Sequence, residues 1–485
     1  MIAHLLQWCA LVALVYFAVV NGVSLLFTVI AAVELKGHRR RRAFAAENDV
    51  LASPLTPPIS VLVPAFNEES GIVDSVRSLL SLRYPEHEVI VISDGSTDRT
   101  IERLTDAFDL VPVPKALRST LQTAAVGVTY TSRRQSELWV IDKENGGKAD
   151  ALNCGVNAAR YPYVCAVDAD ALLEEDALLR VARPILDDPE LVAATGGIVR
   201  IANGSRVDHG RVITPGVARG VLGTFQTIEY LRAFLIGRIG WSRLGTLMII
   251  SGAFGLFRRS LVETVGGWNT KTVGEDVELV VRLHRYLRER GEDYRIEFVP
   301  DPLCWTEAPE DLRTLGWQRR RWQRGLAEAL WAHRGVLARP RYGALGLVAF
   351  PYFFVFELLG PVIELLSFPL VGAGFAIGAV STDLLLGFVA MSVLLGILVS
   401  LSALVLEEIN TRRPLSSRAT ARLVRFALLE DLGYRQLNMC WRILAFFDLA
   451  LRRRKWGEHR RRGFVARDEA TASRRRLKRR FGSAV

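Results

Sequence analysis

Tyr163-Val164-Cys165-Ala166-Val167-Asp168-Ala169-Asp170 is the stretch on which the reading of this chain turns. Five consecutive apolar residues fit a strand buried on both faces. The run ends in two carboxylates separated by one alanine. A buried strand emerging into Asp168 and Asp170 presents hard oxygen ligands at a sheet edge, which suits a divalent cation that also holds a phosphate. On its own D-x-D is a weak signal, because aspartate is common in strand-to-loop turns.

The segments before this strand alternate in the same sense. Ile59-Ser60-Val61-Leu62-Val63 reads as a strand, Ile72 to Leu82 as a helix, Glu88-Val89-Ile90-Val91-Ile92 as a second strand, and a short helix starts at Asp98. Leu138-Trp139-Val140-Ile141 adds another strand, with a helix through Ala149, Leu152, Val156 and Ala159 leading to Tyr163. Such alternation predicts an α/β fold with a mostly parallel central sheet and ligands gathered beyond the carboxyl ends of its strands. No G-x-G-x-x-G follows the first strand, which argues against a dinucleotide cofactor.

The chain has 485 residues, of which 50% are hydrophobic, too apolar for an ordinary soluble enzyme. From Leu6 to Val33 no residue is charged, and the run exceeds the roughly 20 residues needed to cross a bilayer. Lys36, Arg39, Arg40, Arg41 and Arg42 follow it rather than precede it. That order favours an N-terminal transmembrane helix over residues 6–34, with its basic end in the cytosol, over a cleaved signal peptide. A second apolar region opens near Ala344. Residues 344–378 carry only Glu357 and Glu364 as charges and are interrupted by Pro351, Pro361 and Pro369, and residues 384–406 form a cleaner span. Glu357 and Glu364, seven apart, share a helical face and either face a polar cavity or reach headgroups. The stretch 424–450 is flanked by basic residues on both sides and reads as an interfacial or re-entrant helix, completing a transmembrane and interfacial region over 344–450. Three spans then leave residues 56–335 and the tail in the cytosol, as in a multi-pass protein of the cell (inner) membrane.

The 451–485 tail holds 14 Lys or Arg against 3 acidic residues, which is the whole of the chain's net charge of +11. In a membrane protein the nearer anionic partner is the lipid bilayer, not nucleic acid. Cys9, Cys154, Cys165, Cys304 and Cys440 are scattered and odd in number, so neither a disulfide framework nor a thiolate metal site is indicated. Asn203-Gly204-Ser205 matches a glycosylation sequon but reads as a turn.

Further acids fall at strand ends or helix starts: Asp94 in Ser93-Asp94-Gly95, Asp98 as a cap or turn acid, and Glu275-Asp276 after Gly274. Several carboxylates at one sheet edge repel one another unless a cation is present. Gln318-Arg319-Arg320-Arg321-Trp322 lies in a basic amphipathic helix, where an amide, a guanidinium and an aromatic ring fall within about one turn.

Pro64-Ala65-Phe66-Asn67-Glu68-Glu69, the Asp94 turn, Asp168-Ala169-Asp170, Gly274-Glu275-Asp276 and Gln318-x-x-Arg321-Trp322 occur in an order that resembles the processive family 2 glycosyltransferases. These are the membrane-embedded poly-N-acetylglucosamine, chitooligosaccharide, hyaluronan and cellulose synthases, and the resemblance covers residues 56–335. It implies a GT-A-type nucleotide-sugar-binding domain embedded between transmembrane and interfacial helices. It further implies an inverting, metal-dependent β-glycosyltransferase that adds sugar, N-acetylglucosamine first among candidates, from a UDP-sugar to a growing polysaccharide and moves the polymer across the membrane. By the same resemblance Asp94 would hold the uridine, with Pro64, Phe66 and Glu68 shaping its pocket, and Lys148 would contact the diphosphate or nucleotide. Asp168 would support the nucleotide and share with Asp170 the binding of Mg²⁺ or Mn²⁺. Glu275 and Asp276 would form the catalytic pair, with Asp276 the general base. Gln318, Arg321 and Trp322 would hold the leaving diphosphate and the acceptor, above Ser251 and Gly252.

The chain departs from that family where Gly274 replaces the usual Thr, and where Trp456-Gly457-Glu458-His459 replaces the hyaluronan synthases' Trp-Gly-Thr-Arg. The short basic tail after the membrane region reads unlike the regulatory domain attached to bacterial cellulose synthases, and the sequence leaves accessory export subunits open. A transferase adding one sugar to a lipid acceptor is the alternative enzyme, and a catalytically silent scaffold the alternative outside enzymes.

Overall fold

A computed structural model describes residues 1–44, 56–411 and 413–451. The basic tail from residue 452 onward lies outside the described residues. At the centre is a ten-stranded sheet. In chain order its strands are β1 (Ile59–Ala65), β2 (His87–Asp94), β3 (Leu110–Pro112), β4 (Val126–Ser132), β5 (Leu138–Lys143), β6 (Tyr163–Val167), β7 (Ala171–Leu173), β8 (Val192–Ile201), β11 (Phe254–Arg258) and β12 (Arg295–Thr306). A separate hairpin pairs β9 (Arg206–Asp208) with β10 (Arg211–Thr214). Across the main sheet the order is β3-β4-β5-β2-β1-β6-β11-β8-β12-β7. Strands β5, β2, β1 and β6 run parallel, and β11 lies antiparallel between β6 and β8.

The parallel core follows from composition. Ile59, Val61, Leu62, Val63 and Val89 to Ile92 are fully buried, as strands covered on both faces require. Helix Ile72–Leu80 buries Ile72, Val76 and Leu79, one stripe at helical spacing, and helix Lys148–Ala158 is buried along nearly its whole length. Gly155 makes the second packing feasible, since a Cβ there would stand 3.0–3.1 Å from methyl carbons of Ile92 and Leu62. Asp98 is a turn acid: its carboxylate accepts from Thr100 N–H and from Glu69 N–H. Asn203 sits in a turn, bonded to Ala308 in both directions.

The N-terminal helix extends over Ile2–Phe44, beyond the 6–34 expected. Among the described residues two helices, Ile2–Arg40 and Thr382–Asn410, are long and apolar enough to cross a membrane, and a third span results if Leu345–Leu358 and Gly360–Ala376, bent by 51°, act as one. Pro361 stands at the start of the second half, where its missing N–H costs least. That bend places Glu357 and Glu364 on different halves rather than on one straight face, yet both line a cavity. Glu364 accepts from Tyr16 Oη at 3.1 Å and from Arg435 at 2.9 Å, which favours the cavity over headgroups for this acid. Residues 424–450 are split between helices Ser417–Leu429 and Tyr434–Ala450, with Gly433 at φ +101° between them. The latter packs on helix Leu312–Ala332, where Gly316 admits the Trp441 ring.

Candidate active site

The register of the sheet assembles the site. Val167 at the end of β6 pairs with Phe254 in β11, so Asp168 emerges beside the Ser251-Gly252-Ala253 segment and its N–H donates to Ala253 O at 3.2 Å. Ser251 Oγ in turn accepts from Ala253 N–H and fixes that turn. Lys148, at the start of its helix, reaches across to this edge. Its Nζ lies 2.6 Å from Asp168 Oδ1, 3.0 Å from Gly252 O and 3.6 Å from Glu275 Oε1. A Cβ at Gly252 would stand 3.0 Å from Asp276 Oδ2, so Asp276 closes on the same point.

Electrostatics tighten this cluster. Burial works against charge on Lys148, but Asp168 and Glu275 outweigh it, and Asp276 adds to them, so the ammonium is held above its ordinary range. Burial pushes Glu275 above the usual carboxylate range against the pull of Lys148, with Asp276 acting in the same direction. Such displaced titrations mark sites built for chemistry more often than surface ion pairs.

Helix Leu312–Ala332 brings the fourth element. Its Asp311 cap accepts from Thr314 N–H, and Glu328 further along accepts from Thr272 Oγ1 at 2.9 Å and Val273 N–H at 3.0 Å. Those bonds tie this helix to the segment that begins helix Glu275–Arg290. The two backbones touch where Gly274 meets Gly325, since a Cβ on Gly274 would lie 2.6 Å from Gly325 Cα. The glycine that stands before Glu275-Asp276 thus has a steric reason: it lets the Gln318-Arg321-Trp322 face close over the carboxylates.

One cavity of about 650 Å³ joins these residues. Lys148, Asp168, Asp170, Ser251, Gly252, Glu275, Asp276, Gln318, Arg321 and Trp322 all line it, so ten of the residues singled out in the sequence share one space. Trp322 is 42% exposed, and the Arg319 guanidinium carbon lies over its ring, 4.5 Å from the centroid. The same cavity continues between the apolar helices, past Asn21, Ser24, Glu357, Glu364 and Val399.

Pro64, Phe66, Glu68 and Asp94 are not among its lining residues. They stand at the carboxyl ends of β1 and β2. Asp94 is buried and heavily engaged: Oδ1 accepts from Lys143 Nζ at 2.7 Å and Gly146 N–H at 2.9 Å, and Oδ2 from Gly147 N–H at 2.7 Å. Its structural part is therefore to shape the turn that launches Lys148, a duty the sequence did not disclose. Lys143 was missed as well. It is wholly buried between Asp94 and Asp150, the latter at 2.6 Å, and Gly146 is required because a Cβ there would overlap the Asp150 carboxylate. The signal available was Asp150, two residues past Lys148 in Gly146-Gly147-Lys148-Ala149-Asp150.

Among the described residues, no group of three His, Cys, Asp or Glu side chains is arranged to hold a metal by itself. The donor set is two aspartates, Asp168 and Asp170, opening on a cavity. That set fits a hard cation bound through one or two carboxylates and completed by substrate phosphates, the usual Mg²⁺ or Mn²⁺ arrangement, better than a closed protein cage.

The mostly parallel central sheet, with a polar cleft at the carboxyl ends of its strands, has the GT-A glycosyltransferase fold, and comparison with known proteins agrees. The chain belongs to the family described as "Glycosyltransferase like family 2", which matches residues 57–325. It is 35% identical over 275 residues to a poly-beta-1,6-N-acetyl-D-glucosamine synthase of Staphylococcus epidermidis, covering 56% of this chain and 55% of that one. It is 34% identical over 303 residues to the protein of the same name from Staphylococcus aureus (strain COL), covering 62% and 60%. The chain thus matches little more than half the length of these relatives. Among solved structures it is similar to a mannosyltransferase, PcManGT from Pyrobaculum calidifontis in complex with GDP-Man and Mn²⁺, with TM-score 0.52 and 19% identity over 92% of this chain and 99% of that one. That likeness bears on the fold.

Proposed function

We propose that this protein is an inverting β-glycosyltransferase that transfers N-acetylglucosamine from its UDP derivative to a growing polysaccharide, and that the polymer leaves through the cavity between the apolar helices. The observation that carries the reading is the continuity of one cavity from Lys148, Asp168 and Asp276 to Asn21, Glu364 and Val399. The names of the relatives favour N-acetylglucosamine as the sugar.

In this reading Asp276 takes the proton of the acceptor hydroxyl, a poor nucleophile until deprotonated. The hydroxyl oxygen attacks the anomeric carbon from the face opposite the diphosphate, the bond to the diphosphate oxygen breaks, and UDP departs with the electron pair. A single displacement inverts the anomeric centre. Lys148 and Arg321 neutralise charge developing on the leaving diphosphate. Asp168 and Asp170 would hold Mg²⁺ or Mn²⁺, which when bound supplies further charge stabilisation to the diphosphate oxygens. Trp322 offers an apolar face to the C–H surface of the acceptor sugar. Asp94, acting through Gly146 and Gly147, sets the position of Lys148 and bounds the nucleotide pocket together with Pro64, Phe66 and Glu68.

The basic residues after the first span and after residue 410 support a cytosolic catalytic domain, residues 56–335, in a multi-pass membrane protein with a bilayer partner. Incubating purified protein with a panel of radiolabelled UDP-sugars and sizing the products tests the proposal. Long products from UDP-N-acetylglucosamine are expected. One labelled sugar per acceptor would reject the polymerase, and no transfer from any UDP-sugar would reject the donor.

A further inference from the structure

Arg238 stands apart from four other arginines that line the cavity. Arg232 is 2.7 Å from Glu430, Arg319 2.7 Å from Glu229, Arg435 2.9 Å from Glu364 and Arg442 3.5 Å from Glu357. Arg238 lines the same space, yet among the described residues no carboxylate lies within ion-pair distance of it. It is half-buried, and burial pulls its guanidinium down to about 10, with Tyr230 and Asp276 opposing. Holding a cation in such a place without a counter-ion is costly, so the position asks for a ligand.

The side chain is also fixed. Its Nε donates to Ile250 O at 2.6 Å, and its plane lies over the Phe234 ring with the guanidinium carbon 3.9 Å from the centroid. The Nη edge is what remains for a bound molecule. Ile250 precedes Ser251-Gly252, whose backbone abuts Asp276. One turn further along the same helix, Trp241 packs on Phe27 of the N-terminal helix at 4.9 Å and on Tyr352 at 5.0 Å. Arg238 therefore stands between the carboxylate assigned to the acceptor hydroxyl and the apolar helices, whereas Lys148 and Asp168 occupy the diphosphate side.

A guanidinium has only donors, so it favours an oxygen that can only accept over a hydroxyl, and it repels an ammonium. Building on the transferase reading above, we infer that Arg238 recognises the acetamido carbonyl of an N-acetylated amino-sugar unit in the acceptor, and so selects acetylated over de-N-acetylated chains.

The test titrates N-acetylglucosamine oligosaccharides and the same oligosaccharides after de-N-acetylation into wild-type protein and Arg238→Gln, by calorimetry and as acceptors in transfer. Wild type is expected to favour the acetylated chain by about tenfold or more, and the variant to bind it about 10- to 100-fold more weakly, as loss of a charge-assisted hydrogen bond implies. UDP affinity should be unchanged in the variant, which also shows that it folds. The preference for acetyl should collapse while kcat changes less than the acceptor KM. An intact preference in the variant, or a loss of UDP affinity in place of acceptor affinity, overturns the inference. Failure of wild type to use any UDP-sugar would instead strike the transferase reading, and the calorimetric comparison would still decide for or against Arg238.

Discussion

Replacing Gly274 by alanine probes the closure of the site with a single methyl group. A Cβ at Gly274 would lie 2.6 Å from Gly325 Cα, 2.8 Å from its carbonyl carbon and 2.9 Å from its oxygen. All three are backbone atoms of a helix buried against its neighbours, so no flexible side chain can give way. Carbon atoms rest at about 3.5–4.0 Å, and the two backbones must part by about 1 Å to admit the methyl. Overpacking of that kind costs about 1–3 kcal/mol. Function should suffer more than stability, because the parting moves Gln318, Arg321 and Trp322 away from Glu275 and Asp276, and misplacement by about 1 Å can cost about 100-fold in rate. UDP release with acceptor present should fall by about 10- to 100-fold in Gly274→Ala. Gly325→Ala, whose Cβ would meet Gly274 Cα at 2.7 Å, should behave alike. UDP binding measured by calorimetry should stay within about threefold. Gly335→Ala, where a Cβ meets nothing within 4 Å, is the control and should be near neutral. Full activity in Gly274→Ala would refute the idea that glycine here sets the closure.

Removal of divalent cations with EDTA should stop turnover, and added Mg²⁺ or Mn²⁺ should restore it; undiminished activity in EDTA would remove Asp168 and Asp170 from metal binding. A pH effect on stability follows from His284, buried with its ring nitrogens 2.9 Å from Leu247 O and 2.7 Å from Tyr294 Oη. Burial, with Arg288 adding to it, lowers this imidazole from 6.5 to about 4 against the Leu247 hydrogen bond. The unfolded chain then takes up a proton that the folded chain refuses, so stability is complete above about pH 6.5 and falls by about 3 kcal/mol as pH approaches 4. Thermal melts in detergent across that range should show the decline, and His284→Gln should flatten it.

Local pattern carried much of this fold. Strand β6 was readable because its apolar run stops abruptly at Asp168, and the helix at Lys148 because Ala149, Leu152 and Val156 recur at helical spacing. Strands β8, β11 and β12 were not read: β8 carries Gly196 and Gly197, which weaken any strand signal, and they pack against Ile250 and Leu303, contacts fixed only by the tertiary fold. The site followed the same division. Motif residues from Lys148 to Trp322 converge on one cavity, but the engagement of Asp94 by Lys143 depends on pairing of β2 with β5, which brings residues 94 and 143 side by side. Gly274 was visible as a departure from the family's usual residue, while its cause, the Gly325 backbone, lies on a helix some fifty residues away. The contrast between Arg238 and the ion-paired Arg232, Arg319, Arg435 and Arg442 likewise has no counterpart in the sequence.

The most direct measurement is transfer of labelled N-acetylglucosamine by wild-type protein and Asp276→Asn, alongside UDP binding to each. Asparagine keeps the shape of the side chain and removes its basicity. Transfer should vanish in the variant while UDP affinity stays close to wild type. Equal activity in the two proteins, or parallel loss of UDP binding, would contradict Asp276 as the base at the centre of this cavity.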